Sequence, residues 1–361
     1  MQTVCENCFH DEELKAIVRL DGTVGSCDLC RCKDVHVCRI LGKAGQTLKE
    51  AITGLLDVYV RCFPGDKSIP CVCHARALES LLVEETGVFN LTAAKVKRLL
   101  QTLFRGERLF ATNYVSRVEV ARASHDPRIW ILPDGDWERF ENDIKFVSRF
   151  NFASRFKKET FKNAAIRCVR RLERGATFFR ARKSLEGVVY TRGGMFPPPK
   201  EKCISGRLNP SGIRLLYLAD SIETALLEMR PKVKEKFCVA QFALKRNLPV
   251  LDLSQIVSMS PFAEHMDPLF YVANRPTLLK IAQEFRRVVD GSNNDLDYLI
   301  TQYVCDVARQ CGWAGILYDS TLHDGGCNLA LFDARNAKMI PGSVSLYDIE
   351  PSLCSYRKVE L

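Results

Sequence analysis

Several features of specialised protein classes are missing from this sequence. No basic N-terminal segment leads into an apolar core, as it would in a secretory signal. No window reaches the ~18 continuous apolar residues that a membrane helix needs. Internal repeats and low-complexity runs are also missing. We therefore expect a cytoplasmic globular protein that has no membrane partner.

Cysteine, in contrast, is abundant, with 16 residues in a chain of 361. Disulfides form in oxidising compartments, and nothing in the sequence points to one. We therefore expect some of the cysteines to bind metal. The remaining cysteines are expected to act as small buried hydrophobic residues.

Four of the cysteines form two C-x2-C pairs that are separated by 18 residues. The pairs are Cys5 with Cys8 and Cys27 with Cys30. Tetrahedral zinc takes four such ligands, and two pairs at this spacing supply them by closing one loop. Four thiolates leave no open position for catalysis, so the pattern predicts structural Zn2+. The alternative is a set of buried cysteines without metal.

Other cysteines offer weaker metal candidates. Cys32 and Cys38 lie close enough in sequence to replace one of the four ligands. A second site could use Cys71, Cys73 and His74, but we favour a helix start that happens to carry thiols.

The net charge of +9 is unevenly spread along the chain. Basic residues concentrate between positions 139 and 174, notably Lys145, Arg149, Arg155, Lys157, Lys158, Lys162, Arg167, Arg170 and Arg171. Such a patch would attract nucleic acid or an anionic small molecule. The alternative is a solvated helix face, which we favour over nucleic-acid binding.

Composition divides the chain into a zinc-knuckle segment (residues 1–40), a mostly helical domain (41–175) and a C-terminal domain (176–361). Apolar residues at helical spacing predict helices over 47–63, 74–85, 92–104 and 137–150, and residues 158–172 are expected to lead into the C-terminal domain. Thr47 is the expected N-cap of the first helix, and residues 64–66 are expected to break it. After residue 176, short strands alternate with helices, so the predicted fold class is α+β. A helix over 221–229 with Ser221 as its N-cap is expected there. Strands are expected at 177–181, 215–219, 238–244, 248–253, 315–318 and 327–332.

Five sequence motifs follow one another between residues 206 and 332. They are GRLNPSG at 206–212, LLYLA at 215–219, SIETALLE at 221–228, GILYDS at 315–320 and GCNLALF at 326–332. In this order they resemble the RES family, named for an Arg, a Glu and a Ser, which includes the NAD-degrading toxins of RES–Xre toxin–antitoxin pairs. The resemblance covers about half of the chain. It departs from the family at Leu208, where a Trp is common.

The resemblance implies an ADP-ribosyltransferase-like fold, NAD as substrate and cleavage of the nicotinamide–ribose bond. The residues to which it assigns catalytic roles are Arg180, Tyr217, Glu228 and Ser320. We expect Arg207 and Asn209 to join them in binding the substrate, although Asn209 could equally serve only to shape its turn. An inhibitory antitoxin or regulator protein is an expected partner.

The residue types suit this reaction. Nicotinamide in NAD already carries a positive charge, so it leaves without a general acid, and the barrier is formation of an oxocarbenium-like ribosyl cation. Glu228 would stabilise that cation. Arg180 and Arg207 would bind the pyrophosphate through forked hydrogen bonds. Tyr217 would stack on the nicotinamide ring or form a wall of the pocket, and Ser320 would orient the amide or the ribose.

The N-terminal half resembles the HEPN-like domain that precedes some RES domains. HEPN ribonucleases use an Arg-x4–6-His motif, and Arg31 and His36 fit that spacing. Both lie beside the zinc knuckle and on no obvious helix, so a ribonuclease is disfavoured. A sensing, inhibitory or partner-binding role is expected instead.

Three functions stay open at this point. The first is an NAD-degrading toxin or defence enzyme, with water (glycohydrolase) or phosphate (phosphorylase) as the acceptor. The second is an ADP-ribosyltransferase that modifies a macromolecule. The third is a non-enzymatic, zinc-containing regulator that binds nucleic acid. The motifs around Glu228 favour the first two, and a homo-oligomer is compatible with all three.

Overall fold

The computed structural model describes residues 2–62, 76–106, 117–120, 129–132, 136–149, 155–185, 187–288 and 294–349. The helix break expected at residues 64–66 lies outside these ranges, and so does the second metal candidate at Cys71, Cys73 and His74. The chain forms two compact units. The first comprises Met1–Trp137, Arg155–Thr160 and Val257–Leu279, and the second comprises Glu138–Ser154, Phe161–Ile256 and Lys280–Leu361.

Helices and strands are distributed along the whole chain. The helices are α1 (Glu12–Arg19), α2 (Lys43–Leu56), α3 (Leu78–Leu81), α4 (Ala93–Leu103), α5 (Trp137–Asn142), α6 (Lys158–Ala165), α7 (Arg192–Met195), α8 (Ile222–Leu227), α9 (Pro268–Arg286), α10 (Asn294–Asp297) and α11 (Leu299–Gln310). The strands are β1 (Thr3–Cys5), β2 (Thr23–Gly25), β3 (Val35–Arg39), β4 (Tyr59–Cys62), β5 (Arg76–Ala77), β6 (Arg117–Val120), β7 (Val169–Leu172), β8 (Thr177–Lys183), β9 (Leu216–Ala219), β10 (Lys236–Leu244), β11 (Leu248–Asp252), β12 (Gly315–Asp319), β13 (Cys327–Leu331), β14 (Ala337–Met339) and β15 (Ser345–Asp348). The predicted α+β class is confirmed.

The first unit packs helices α1, α2 and α4 around one hydrophobic core. Leu48, Ile52 and Leu55 are fully buried along one face of α2, as their helical spacing predicts. Two small sheets accompany the helices, in the strand orders β1-β3-β2 and β4-β6-β5. This half of the chain is therefore less purely helical than its sequence indicates.

Two details of helix α2 correct the sequence prediction. The helix begins at Lys43 after Gly42, and the hydroxyl of Thr47 donates to the Lys43 carbonyl inside the helix, so Thr47 is not its N-cap. Glycine is an adequate N-cap residue but a weaker sequence signal than threonine. The helix also ends at Leu56, because the aromatic and β-branched residues that follow pair with β6 as strand β4.

The second unit is built on a nine-stranded sheet in the order β14-β10-β8-β9-β13-β12-β11-β7, with β15 also paired to β10. Its pairs are antiparallel except for β11 and β12, which run parallel. Strands β8 and β9 pair at one position alone, Phe179 opposite Ala219. Past this point the two strands separate, so the sheet opens between Arg180 on β8 and Tyr217 on β9.

Helix α8 begins where the sequence predicts. The hydroxyl of Ser221 accepts from the Thr224 amide at 3.0 Å, which confirms Ser221 as its N-cap. Ala225 and Leu226 pack the helix into a cluster with Ala181 of β8 and Val239 of β10. Glu228 is the residue that directly follows the last helical turn. The packing of α8 therefore fixes the backbone from which the Glu228 side chain extends.

Candidate active site

A cleft of about 420 Å³ lies in the second unit where β8 and β9 separate. Its lining residues include Phe179, Arg180, Arg182, Arg207, Tyr217, Glu228, Tyr318 and Asn328. Four of the six predicted site residues therefore line one cleft. Ser320 reaches it through Glu228, and Asn209 lies behind its wall.

Glu228 supplies the one carboxylate among the residues that line this cleft. Its Oε1 atom accepts from the Ser320 hydroxyl at 2.6 Å and from the Asn328 side-chain amide at 2.7 Å. Two donors on one oxygen fix the orientation of the carboxylate. The geometry thus holds one negative charge at the wall of the cleft.

Ser320 organises the segment that follows β12. Besides donating to Glu228, its hydroxyl accepts from the amides of Leu322 and His323 at 3.1 Å each. Its own amide donates to the Gly326 carbonyl and closes the 320–326 segment. Ser320 therefore both shapes this segment and positions Glu228.

Arg180 is the cation nearest the point where the sheet opens. One terminal nitrogen donates to the Tyr217 carbonyl at 2.9 Å, and Nε is buried without a hydrogen-bond partner among the described residues. Burial, aided by the neighbouring charge of Arg182, lowers the pKa of Arg180 to about 10. The side chain is therefore still protonated at neutral pH, and it has hydrogen-bonding capacity left for an anionic ligand.

Tyr217 ties the cleft wall to the turn formed by residues 206–209. Its hydroxyl donates to Asn209 Oδ1 at 2.7 Å and accepts from the Leu208 amide at 3.2 Å. Burial raises its pKa well above the ordinary value, so the phenol stays neutral. The ring lines the cleft while the hydroxyl holds the turn, which agrees with the expected wall position.

Asn209 is buried within the same turn. Its side-chain amide donates to the carbonyls of Ile204 and Pro210 at 3.0 and 3.1 Å, and its backbone carbonyl accepts from Gln302 at 3.1 Å. Gly206 completes the turn, and a Cβ there would lie 3.0 Å from Asn209 Oδ1. These contacts favour the loop-shaping interpretation of Asn209, and its substrate-binding role stays a prediction.

Arg207 projects from this turn toward the end of helix α9. One terminal nitrogen donates to the carbonyls of Phe285 and Arg287 at 3.0 and 2.8 Å, groups that a helix end leaves unpaired. The guanidinium also lies 5.7 Å from the ring centroid of Tyr298. Arg207 is thus anchored at one nitrogen while it lines the cleft.

Sequence reasoning overlooked two contributors to the site. Asn328 is the one polar residue facing Glu228 from strand β13, and the only signal was an amide within the apolar GCNLALF motif. His323 is the other: its Nδ1 lies 2.8 Å from the Thr224 hydroxyl, which donates in turn to Asp220 at 2.7 Å. Because that hydroxyl gives its proton to Asp220, Nδ1 of His323 is the donor. The 320–326 segment is therefore fastened to both ends of α8.

The four predicted metal ligands come together in the first unit. The Sγ atoms of Cys5, Cys8, Cys27 and Cys30 all lie within 4.8 Å of one another. Three of the separations are 3.7, 3.3 and 3.6 Å, close to the edge of about 3.8 Å that follows from tetrahedral zinc–sulfur bonds of about 2.3 Å. Arg31 and His36 lie beside this cluster on a loop and on strand β3, and His36 bonds Glu6 at 2.8 Å.

Comparison with known proteins bears on the second unit. Residues 177–349 match the family model of the RES domain. A solved structure of the M. tuberculosis MbcT–MbcA toxin–antitoxin complex is similar at 14% identity over 54% of this chain and 94% of that one, with a TM-score of 0.30. No curated protein matches the chain.

Proposed function

Residues 177–349 belong to the RES domain family, and from this premise we propose that the chain is an NAD-degrading enzyme that cleaves the nicotinamide–ribose bond. The observation that carries the proposal is the Glu228 carboxylate, fixed by Ser320 and Asn328 at the wall of a cleft that also contains Arg180 and Arg207. One oriented negative charge beside several cations suits a substrate with an anionic pyrophosphate and a reacting centre that becomes positive.

The reaction needs little from the protein beyond charge and position. The C–N bond breaks with its electron pair moving to the nicotinamide nitrogen, which neutralises the cationic ring. The ribosyl carbon becomes positive, and the Glu228 carboxylate stabilises this charge, which is greater in the transition state than in bound NAD. Water then attacks the cation and releases a proton to solvent, which gives ADP-ribose, or phosphate attacks it and gives the 1-phosphate of ADP-ribose.

The cations of the cleft would bind the other end of the substrate. Arg180 and Arg207 each keep N–H groups that can meet pyrophosphate oxygens in forked geometry. The volume of about 420 Å³ falls within the range of about 300–1,000 Å³ that is usual for small-molecule sites. The apolar wall formed by Tyr217 and Tyr318 suits the nicotinamide ring.

We further propose that the Cys5, Cys8, Cys27 and Cys30 cluster binds one structural Zn2+. An inhibitory partner, as in toxin–antitoxin pairs, would protect a cell that makes such an enzyme. Within the residues that the structure describes, no helix is both long and apolar enough to cross a bilayer. A cytoplasmic site of action, where NAD is available, is part of the proposal.

The test is to incubate the purified full chain with NAD, with and without phosphate, and to separate the products by chromatography. We expect Glu228→Gln to lower the rate of NAD loss by about 10²–10³-fold, as loss of transition-state charge stabilisation does. Glu223→Gln, which removes an exposed carboxylate from the same helix, should leave the rate unchanged.

The products decide between the acceptors. NAD loss without phosphate, with nicotinamide and ADP-ribose appearing, identifies a glycohydrolase, whereas strict dependence on phosphate identifies a phosphorylase. Label transferred from NAD to a macromolecule would identify an ADP-ribosyltransferase. Equal rates for wild type and Glu228→Gln, or intact NAD with a folded protein, would overturn the proposal.

A further inference from the structure

A second cleft, of about 660 Å³, lies in the second unit at the opposite end of strands β12 and β13. The candidate active site uses Tyr318 and Asn328, which pair at one end of these strands. The second cleft uses Ala314 and Phe332, just beyond the other end. Four residues of strand from Asn328 to Phe332 span about 13 Å, so the two clefts are separate.

Three arginines from three different elements line this second cleft. Arg246 lies in the turn between β10 and β11, Arg309 in the last turn of α11, and Arg335 in the 3-10 helix Ala334–Asn336. Asp333 is the one acidic residue among the lining residues. Three arginines and one aspartate give the lining a net charge of +2, which attracts an anionic ligand.

Two of these arginines are already oriented. The guanidinium carbon of Arg309 lies 5.0 Å from the ring centroid of Phe332, a cation–π contact that uses none of its N–H groups. Arg246 donates through Nε to Asn336 at 3.1 Å. Among the residues that the structure describes, the terminal nitrogens of both have no hydrogen-bond partner. Arg335, in contrast, is neutralised by Asp333 at 2.8 Å.

We propose that this cleft binds a small phosphorylated molecule, with its phosphate held between Arg246 and Arg309. Two open guanidinium groups carry two positive charges, which match a phosphate dianion, whereas a carboxylate would leave one charge unpaired. The apolar part of the ligand would lie against Pro249 and Trp313, which line the same cleft. The proposal is independent of NAD cleavage.

The test is a titration of the full chain with inorganic pyrophosphate and with adenosine 5′-monophosphate. Calorimetry measures the heat of binding, and the fluorescence of Trp313 reports on ligand in the cleft. Arg309→Gln and Arg246→Gln should each weaken binding by about tenfold or more, as loss of a charged hydrogen-bond partner does. Arg98→Gln removes the same charge from an exposed position on α4 and should bind like wild type. Trp313→Phe should bind without the fluorescence change.

The candidate active site also contains arginines, so Arg180→Gln is tested in parallel. It should retain the Trp313 signal. If Arg180→Gln abolishes binding while Arg309→Gln and Arg246→Gln do not, the anion belongs to the active site and the proposal is wrong. Binding of short single-stranded RNA without binding of either small probe would also overturn it. Arg246 is exposed and makes one hydrogen bond among the described residues, to Asn336, so Arg246→Gln keeps the test valid if Arg309→Gln unfolds.

Discussion

Glu228 depends on its neighbours for its position. It lies just beyond the last turn of α8, where nothing in the helix itself orients a side chain, and Ser320 and Asn328 share its Oε1 atom. A carboxylate held from two sides needs no rearrangement when positive charge develops beside it. The second donor, Asn328, is therefore expected to matter for catalysis as well as for packing.

We predict that Asn328→Ala lowers kcat/KM for NAD by about tenfold, because one charged hydrogen bond to Glu228 is lost while the Ser320 bond remains. The measurement is the initial rate of NAD loss over a range of NAD concentrations. Asn142→Ala removes an exposed amide from the end of α5 and serves as the control. Equal kcat/KM for the two variants would show that Ser320 alone fixes the carboxylate.

Tyr217 contributes to stability through its hydroxyl. We predict that Tyr217→Phe lowers the free energy of unfolding by about 1–3 kcal/mol, because Asn209 and the Leu208 amide both lose a partner in a buried place. Urea unfolding followed by circular dichroism measures this change. Tyr347→Phe is the matched control, since the Tyr347 hydroxyl has no hydrogen bond among the described residues, and a loss as large in that variant would contradict the argument.

At the level of secondary structure, the sequence predicts the positions of most strands of the second unit. Strands β8 to β13 and the N-cap at Ser221 lie where the sequence places them. The contact between Asn328 and Glu228 could not be foreseen, because it depends on β13 pairing with β9 beside α8. The early end of α2 has a similar cause, because β4 exists only through its pairing with β6.

The 320–326 segment contacts both ends of α8. Ser320 bonds Glu228 at one end, and His323 bonds Thr224 near the other. We predict that His323→Ala lowers kcat by about tenfold with little change in KM, because a segment held only at Ser320 allows Glu228 to move. His323→Asn should recover part of the rate, since its amide can still donate to the Thr224 hydroxyl. Both are measured as NAD turnover at saturating and at limiting NAD.

Glu223→Gln separates this contact from a surface charge effect. Its carboxylate lies 3.7 Å from His323 Nε2 and is largely exposed, so its removal leaves the bond to Thr224 intact. We expect full activity from this variant. If it loses as much activity as His323→Ala does, the contact between Glu223 and His323, and not the bond to Thr224, holds the segment.

At the scale of the whole molecule, the cysteine cluster of the first unit is expected to contribute to the stability of the chain. The spacing of the two C-x2-C pairs predicted that four thiols would converge, and they do. The predicted domain limits at residues 40 and 175 remain predictions. Each compact unit is assembled from segments that are not contiguous in sequence; Val257–Leu279, for example, belongs to the first unit although the segments on both sides of it belong to the second. Local composition carries no information about which distant segments pack together.

The four thiols of the cluster lie within 4.8 Å of one another and bury less apolar surface than larger side chains would. A bound metal ion would therefore add stability to this part of the first unit. We predict one zinc per chain, and a lower thermal midpoint after removal of the ion by a chelator. Elemental analysis and thermal unfolding measure the two quantities. Cys27→Ser should lose the zinc and lower the midpoint, because three thiolates hold the ion less tightly than four.

Cys38→Ser provides the contrast, since Cys38 is equally buried on the neighbouring strand β3 but lies outside the cluster. It should keep its zinc, with only the modest loss of stability expected for a buried polar substitution. Normal zinc content in Cys27→Ser together with a loss in Cys38→Ser would assign the fourth ligand to Cys38. Absence of zinc from the wild-type chain purified without chelator would instead make the cluster four reduced thiols that pack as hydrophobic residues.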